Sequence, residues 1–133
     1  MGIIAAAAMI LTVACTHLPN DVAVSESSSG KQVNVVVNGI ITVTLDSNAT
    51  TGYSWEIKDI QETSGQRILQ KIDNKYVAST GGAIGAGGKE VWTFTVLVAG
   101  KSTLTMDYSQ PWVGGQKDAR TFTLTVVSKY ATK

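Results

Sequence analysis

The sequence is poor in the residues from which catalytic and metal sites are usually built. Its 133 residues include one histidine, His17, and one cysteine, Cys15. A lone histidine supplies neither a nucleophile–base pair nor a zinc ligand set. A lone cysteine cannot form an intramolecular disulfide, so the domain must fold on its core alone. The carboxylates form no recognisable acid–base pair, and we therefore expect no enzyme, no metal and no cofactor.

An excess of charge of one sign is also lacking. The 11 Lys and Arg residues nearly balance the 10 Asp and Glu residues, which gives a formal net charge of +1. Nucleic-acid-binding domains usually concentrate basic residues in a patch, and here they are scattered. We therefore expect no nucleic-acid partner.

No apolar run is long enough to span a bilayer comfortably. The uncharged stretch from Met1 to Ala14 is shorter than the about 20 apolar residues that spanning takes. A short apolar run ending in small residues predicts an export signal over residues 1–15, although no basic residue precedes it. Cys15 resembles a lipobox cysteine, which would attach a lipidated chain to a membrane. An ordinary signal that leaves a secreted or periplasmic protein is the alternative, in which Cys15 is discarded or left free.

A polar segment separates this leader from the rest of the chain. Residues 16–31 are rich in serine, which predicts a tether, or simply a frayed terminus. The remaining residues, 32–133, have the length of one self-sufficient domain.

Apolar and polar residues alternate from Gln32 onward, which is typical of strands. Asn38-Gly39 predicts a tight turn or a bulge between two such runs. No window has the period of an amphipathic helix, and residues 60–72 are the one place where a helix could lie. Strands at regular spacing predict an all-β antiparallel sandwich. Leu104, Met106 and Tyr108 are predicted to face inward. The other alternating sets are Val33, Val35 and Val37; Ile41, Val43 and Leu45; Trp92, Phe94, Val96 and Val98; and Phe122, Leu124 and Val126.

Three turn segments, residues 46–53, 79–88 and 108–115, contain residues that turning alone does not need. Trp112 follows a proline and precedes two glycines, so it lies off the core-facing ladder. Such a tryptophan either anchors an interface or folds back to cap the sandwich. The glycines of the second segment indicate either a flexible loop or a backbone that approaches a partner closely.

The same three segments carry a family resemblance. Asn48-Ala49-Thr50-Thr51-Gly52-Tyr53 resembles the Asn-Pro-Thr-Thr-Gly-Tyr motif of the chagasin-like inhibitors of cysteine peptidases. Gly85-Ala86-Gly87-Gly88 is similar to that family's Gly-x-Gly-Gly motif, and Gln110-Pro111-Trp112 to its Arg-Pro-Trp motif. The three motifs occur in the family's order and at similar spacing.

The resemblance implies a single-domain, immunoglobulin-like β-sandwich that blocks papain-like cysteine proteases reversibly. Its three loops would lie at one end, enter the active-site cleft and occupy it without a covalent step. We expect the inhibitor to act as a monomer. Carried over by position, the central wedge is formed by Asn48, Thr50, Thr51, Gly52 and Tyr53, with Gly85, Gly87 and Gly88 on one flank and Pro111 and Trp112 on the other.

Two positions depart from the family pattern. Ala49 replaces a proline, which loosens the loop, and Gln110 replaces an arginine, which removes a charge. We expect inhibition with altered affinity or target preference. Asn48-Ala49-Thr50 is also a glycosylation sequon, and a glycan there would obstruct the wedge. The competing interpretation is a structural or adhesive cell-surface module without inhibitor activity, because a fold does not dictate a function.

Overall fold

The chain folds almost entirely into strands. A computed structural model describes residues 18–63, 65–79 and 87–131. Two 3-10 turns, Glu26–Ser28 and Ala49–Thr51, are the only helical segments among these residues. No helix in the described ranges is long and apolar enough to cross a bilayer. The strands are β1 (Asp21–Ser25), β2 (Lys31–Val36), β3 (Ile40–Ser47), β4 (Ser54–Glu62), β5 (Leu69–Ala78), β6 (Gly88–Val96), β7 (Gly100–Ser109) and β8 (Arg120–Lys129).

The strands form two four-stranded sheets, and the expected β-sandwich is confirmed. One sheet has the order β1-β3-β6-β5, and the other has the order β2-β8-β7-β4. Most neighbours are antiparallel, but β1 pairs with β3 and β2 pairs with β8 in parallel. Residues 60–72, the one region where the sequence allowed a helix, instead contain the end of β4 at Glu62 and the beginning of β5 at Leu69.

The core lies between the sheets and is built from the alternating positions. Phe94 on β6 and Phe122 on β8 are fully buried, as are their strand neighbours Val96 and Leu124. Burying each such side chain contributes about 1.5–3 kcal/mol relative to leaving it exposed. The apolar faces predicted for β6, β7 and β8 are therefore the faces that pack.

Asn38 forms a turn and not a bulge. Its φ is +74°, and the Gly39 N–H donates to the Val36 carbonyl across 2.9 Å. Asparagine tolerates this left-handed conformation because its short polar side chain can hydrogen-bond locally. The turn does not close a hairpin, since β2 and β3 belong to different sheets, so it carries the chain from one sheet to the other.

The predicted tether of residues 16–31 is too long. Strand β1 begins at Asp21 and pairs with β3, and Val24 is buried in the core. The serines that follow form a 3-10 turn, and Gly30 N–H donates to the Thr123 carbonyl across 2.7 Å. The folded region therefore begins at least ten residues earlier than the serine-rich composition indicated. The predicted leader, residues 1–15 with Cys15, lies outside the described residues.

Candidate functional site

Strand register brings three connections to one end of the sandwich. In the first sheet, Ser47 and Ala78 both pair with Gly88. In the second sheet, Ser54 pairs with Ser109, at the end where β7 gives way to β8. The strand ends that carry the predicted motifs are therefore neighbours within each sheet. We name the connections loop 1 (residues 48–53), loop 2 (residues 79–87) and loop 3 (residues 110–119).

Loop 1 is closed on itself by the side chain and carbonyl of Asn48. Its Oδ1 accepts from the Thr50 hydroxyl at 2.6 Å and from the Thr50 N–H at 3.1 Å. The Thr51 hydroxyl donates to the Asn48 carbonyl across 2.7 Å. Asn48 thus caps the 3-10 turn Ala49–Thr51, which ends at Gly52. Thr50 and Thr51 are exposed at the tip of a loop whose backbone is fixed locally.

Loop 3 lies directly against loop 1. A Cβ at Gly52 would stand 2.9 Å from Cζ3 of Trp112, and closer still to Cη2. Gly52 also has a φ of +81°, a left-handed conformation that favours glycine. Trp112 covers this glycine with one part of its indole, while half of its surface remains open to solvent. Trp112 therefore folds back onto loop 1 and also leaves an apolar surface exposed, and its role as an interface anchor stays a prediction.

Polar contacts tie the same two loops together. The Gln110 side chain donates to the Thr51 carbonyl across 3.4 Å and accepts from the Gln116 N–H at 2.9 Å. The Tyr53 hydroxyl donates to the Gln116 side chain. Lys117 Nζ donates to the carbonyls of Gln110 and Trp112, the latter across 2.9 Å. Gln110 therefore links loop 3 to loop 1. The sequence analysis noted only that Gln110 lacks the charge of an arginine and did not predict this link.

The tip of loop 3 is apolar and open. Pro111 and Trp112 are exposed, and Val113 is fully exposed. Sequence reasoning named the first two and missed Val113, although its place between Trp112 and two glycines was a signal that it could not reach the core. A contiguous exposed apolar patch often marks an interaction site, and tryptophan is among the residues enriched at interface hot spots.

Loop 2 meets the beginning of loop 1. The Ser79 N–H donates to the Gly87 carbonyl across 3.1 Å, which closes the base of the loop. A Cβ at Gly87 would lie 3.4 Å from the Ser47 carbonyl and 3.6 Å from Asn48 Cβ, so the two backbones are close neighbours. Gly88 pairs inside the sheet with Ala78. Gly85 lies outside the described residues.

A groove of about 550 Å³ separates the bases of loops 1 and 2. Its walls carry one exposed ion pair, between Lys89 and Asp46, and the guanidinium of Arg120. The groove is lined by Asp46, Ser47, Asn48, Val77, Ala78, Ser79, Gly87, Gly88, Lys89, Tyr108 and Arg120.

Tyr108 lies on β7, in the other sheet from β3, and supports loop 1. Its hydroxyl accepts from the Asn48 N–H at 2.9 Å. Its ring lies 5.2 Å from that of Tyr53 and 5.1 Å from that of Trp55, and the Arg120 guanidinium lies 4.3 Å from the ring centroid. Stacked aromatic pairs and a cation over a ring add to the stabilisation that burial provides. Tyr53, predicted as a wedge residue, is thus half-buried and holds the loop in place.

A buried carboxylate, Glu90, lies beneath these loops and was not predicted from the sequence. It accepts hydrogen bonds from the Ser47 hydroxyl, the Trp55 N–H and the Trp92 indole N–H. Glu90 lies two residues before Trp92 and so belongs to the inward face of β6. This spacing could have predicted that its side chain is buried.

Two aspartates at the base of loop 3 share one lysine. Lys58 Nζ lies 3.6 Å from Asp107 and 3.6 Å from Asp118. Burial, and the hydrogen bond and negative charge of Asp118, raise the pKa of Asp107 above its ordinary value, and Lys58 opposes this. The hydrogen bond from Asp107, together with the charge of Lys58, lowers the pKa of Asp118. The carboxyl that gives up its proton first is therefore Asp118.

Within the described ranges, no group of three or more His, Cys, Asp or Glu residues could hold a metal ion. The site instead consists of a capped threonine turn, an apolar loop tip and a glycine backbone, all at one end. The family model described as the chagasin family peptidase inhibitor I42 matches residues 34–126. The chain belongs to the chagasin family. Because this is a family of peptidase inhibitors, the expectation that the chain is not an enzyme is confirmed.

One relative is similar to this chain in sequence, and two solved structures are similar to it in fold. The chain is 31% identical to Chagasin of Trypanosoma cruzi over 101 residues, which is 76% of this chain and 92% of that protein. The crystal structure of a cysteine protease inhibitor from Entamoeba histolytica superposes with a TM-score of 0.65 at 21% identity, covering 81% of this chain and 94% of the other. PbICP-C, solved in complex with falcipain-2, superposes with a TM-score of 0.51 at 18% identity, covering 84% and 91%.

Proposed function

We propose that this chagasin family member inhibits papain-like cysteine proteases by inserting the end of the sandwich into the active-site cleft. Loop 1 is the central wedge, and loops 2 and 3 contact the walls of the cleft. The observation that carries the proposal is the packing of Trp112 on Gly52, which makes loops 1 and 3 one continuous surface. The membership in a peptidase inhibitor family supplies the class of partner.

The shape of loop 1 suits a narrow cleft. Its exposed tip carries the small side chains of Thr50 and Thr51, and both hydroxyls are already bonded to Asn48. The loop therefore loses little conformational freedom when a partner closes around it. Rigid binding loops convert interfaces of standard size, about 1,600 Å², into tight complexes because little ordering remains to be done.

Inhibition by this surface needs no chemical step. The wedge residues named from the sequence are threonine, asparagine, glycine and tyrosine, and none of them is paired with a general base. The cleft is blocked by occupation alone, and the complex is reversible. Loop 3 adds an apolar anchor through Trp112, and the exposed Val113 beside it extends the apolar surface, which suits a hydrophobic wall on the protease.

A titration into papain distinguishes this proposal from an adhesive or structural module. The purified protein is expected to inhibit hydrolysis of a fluorogenic peptide at micromolar concentration or below, and a plain spacer domain would not. Trp112→Ala should weaken inhibition by about tenfold or more, as truncation of an interface anchor does. Its thermal transition should move little, since half of the indole is already exposed.

Tyr130→Ala provides the matched control for that substitution. Tyr130 is also an exposed aromatic residue, at 65%, but it follows β8 at the other end of the sandwich. It should leave inhibition unchanged. Equal losses from Trp112→Ala and Tyr130→Ala, or no inhibition by the unmodified protein, would rule the cleft-blocking proposal out.

Export is part of the same proposal, with a lipid on Cys15 as its finer form. A protein that meets proteases outside the cytoplasm needs an export signal, and the apolar stretch before Cys15 is of that kind. Growth with a radiolabelled fatty acid should label the protein, and Cys15→Ser should abolish the label. Labelled protein that persists in Cys15→Ser would exclude this site. The monomeric state remains a prediction that sedimentation can test.

A further inference from the structure

Glu90 is a charged side chain in the interior of the sandwich. It is 8% exposed and lies on β6, on the face that also carries Trp92 and Phe94. A carboxylate at such a position is costly unless donors surround it. Its presence therefore needs an explanation beyond packing, because an apolar residue would fill the same space at lower cost.

The donors to Glu90 come from both sheets and from both ends of loop 1. Oε2 accepts from the Ser47 hydroxyl at 2.7 Å, and Ser47 is the last residue before the loop. Oε2 also accepts from the Trp55 N–H at 3.1 Å, and Trp55 is the second residue of β4, just after the loop. Oε1 accepts from the Trp92 indole N–H at 3.2 Å.

We propose that Glu90 is a positioning residue that fixes the spacing and angle between the two ends of loop 1. Ser47 belongs to one sheet and Trp55 to the other, so one carboxylate determines how the two sheets meet beneath the wedge. Hydrogen bonds to a charged acceptor are shorter and stronger than neutral ones, which suits this role. The role rests on the proposed function, because it matters for inhibition only if loop 1 enters a cleft.

Two substitutions separate the hydrogen bonds from the volume of the side chain. Glu90→Gln keeps one acceptor oxygen for Trp55 and Trp92, and its amide can donate to the Ser47 oxygen instead of accepting from it. Glu90→Met keeps a similar volume but accepts none of these bonds well. We expect Glu90→Gln to retain nearly the full affinity for papain. We expect Glu90→Met to weaken it by about tenfold or more, because the competent loop conformation is then only fractionally populated.

Hydrogen exchange reports on the loop without a protease. The Thr51 N–H donates to the Asn48 carbonyl at 3.1 Å, and the Gly52 N–H donates to the Ala49 carbonyl at 3.2 Å. Both amides should exchange about tenfold faster in Glu90→Met, since local opening of loop 1 becomes easier. The Gly39 amide, which donates to the Val36 carbonyl across 2.9 Å at the other end of β3, should keep its exchange rate.

Ser128→Ala is the control for a loss of stability alone. The Ser128 hydroxyl is buried and donates to the Val98 carbonyl across 2.8 Å. Ser128 is the second-last residue of β8, at the opposite end of that strand from loop 3. It should lower Tm without changing affinity or the exchange of the loop 1 amides. Glu90→Met that behaves like Ser128→Ala would overturn the proposal.

The outcomes separate this proposal from the proposed function. If the unmodified protein does not inhibit papain, cleft blocking fails, while the exchange of the Thr51 and Gly52 amides still tests the positioning role. If Glu90→Met does not fold, Ser47→Ala removes the strongest single donor and should raise the same exchange rates. An unfolded Glu90→Met together with unchanged exchange in Ser47→Ala would assign Glu90 to general stability only.

Discussion

The indole of Trp112 covers Gly52 so closely that no larger residue fits beneath it. Gly52 has a φ of +81°, so it is required both for the left-handed turn and for the contact. Gly52→Ala should therefore lower the free energy of unfolding by about 1–2 kcal/mol for the conformation. It should also displace Trp112 and weaken papain inhibition by about tenfold or more. Chemical denaturation and inhibition assays measure the two losses.

Gly65→Ala isolates the backbone strain from the clash. Gly65 has a similar φ, +75°, but a Cβ there meets nothing within 4 Å, and it follows β4 away from loops 1 and 3. The control should lose comparable stability and no inhibition. Inhibition that survives in Gly52→Ala would show that the packing of Trp112 is irrelevant to the binding surface.

The hydroxyl of Tyr108 holds the beginning of loop 1 at Asn48. Tyr108→Phe removes the hydroxyl that accepts from the Asn48 N–H and leaves the ring against Tyr53 and Trp55. We expect a loss of about 1 kcal/mol in unfolding free energy, the usual net contribution of one hydrogen bond, and inhibition weakened severalfold. Tyr130→Phe, which removes a hydroxyl from a mostly exposed ring, should change neither. Equal results for the two variants would mean that this hydrogen bond does not hold the wedge.

By the resemblance to the family motif, Ala49 occupies the position of a proline, and the backbone conformation at this position is compatible with proline. It is the first residue of the 3-10 turn, where proline is favoured, and Asn48 before it has the extended conformation that precedes proline, with φ −128° and ψ 99°. Ala49→Pro should stabilise the protein by about 0.4–1 kcal/mol and tighten inhibition by roughly two- to fivefold. Ala49→Gly should act in the opposite direction. A lower Tm in Ala49→Pro would show that the ring is not accommodated.

The sequence predicted those parts of the fold that depend on local alternation. Trp92, Phe94 and Val96 have period two, and β6 follows from them directly. The strand β1 was missed because five residues beside a serine-rich stretch carry too little apolar pattern to stand out. Its parallel pairing with β3 depends on contacts distant in sequence, which local propensity does not encode.

The candidate site shows the same division. Its three segments could be named from their residues and from the family resemblance, because turn glycines and a loop tryptophan are visible locally. The contacts that join them were not predictable. Tyr108 reaches Asn48 across 60 positions, and Glu90 reaches Ser47 across 43. Such partners are determined by strand register, and register follows from packing of the whole core.

The paired aspartates at the base of loop 3 predict opposite dependences on pH. The pKa of Asp107 is raised above its unfolded value of about 3.9, so the folded protein loses stability as pH rises from that value through the folded pKa. Asp107→Asn removes this loss and should raise Tm at pH 7, with a gain that shrinks towards pH 4.

Asp118 provides the opposite half of the same test. Its pKa is lowered, so its contribution to stability is present above the unfolded value of about 3.9 and disappears as pH falls through the folded pKa. Asp118→Asn should therefore lower Tm at pH 7 and approach the unmodified protein in acid. Thermal scans of both variants between pH 3 and pH 8 measure the two curves. Curves that shift with pH in the same direction for both variants would contradict this prediction, because the pKa of Asp107 is raised while that of Asp118 is lowered.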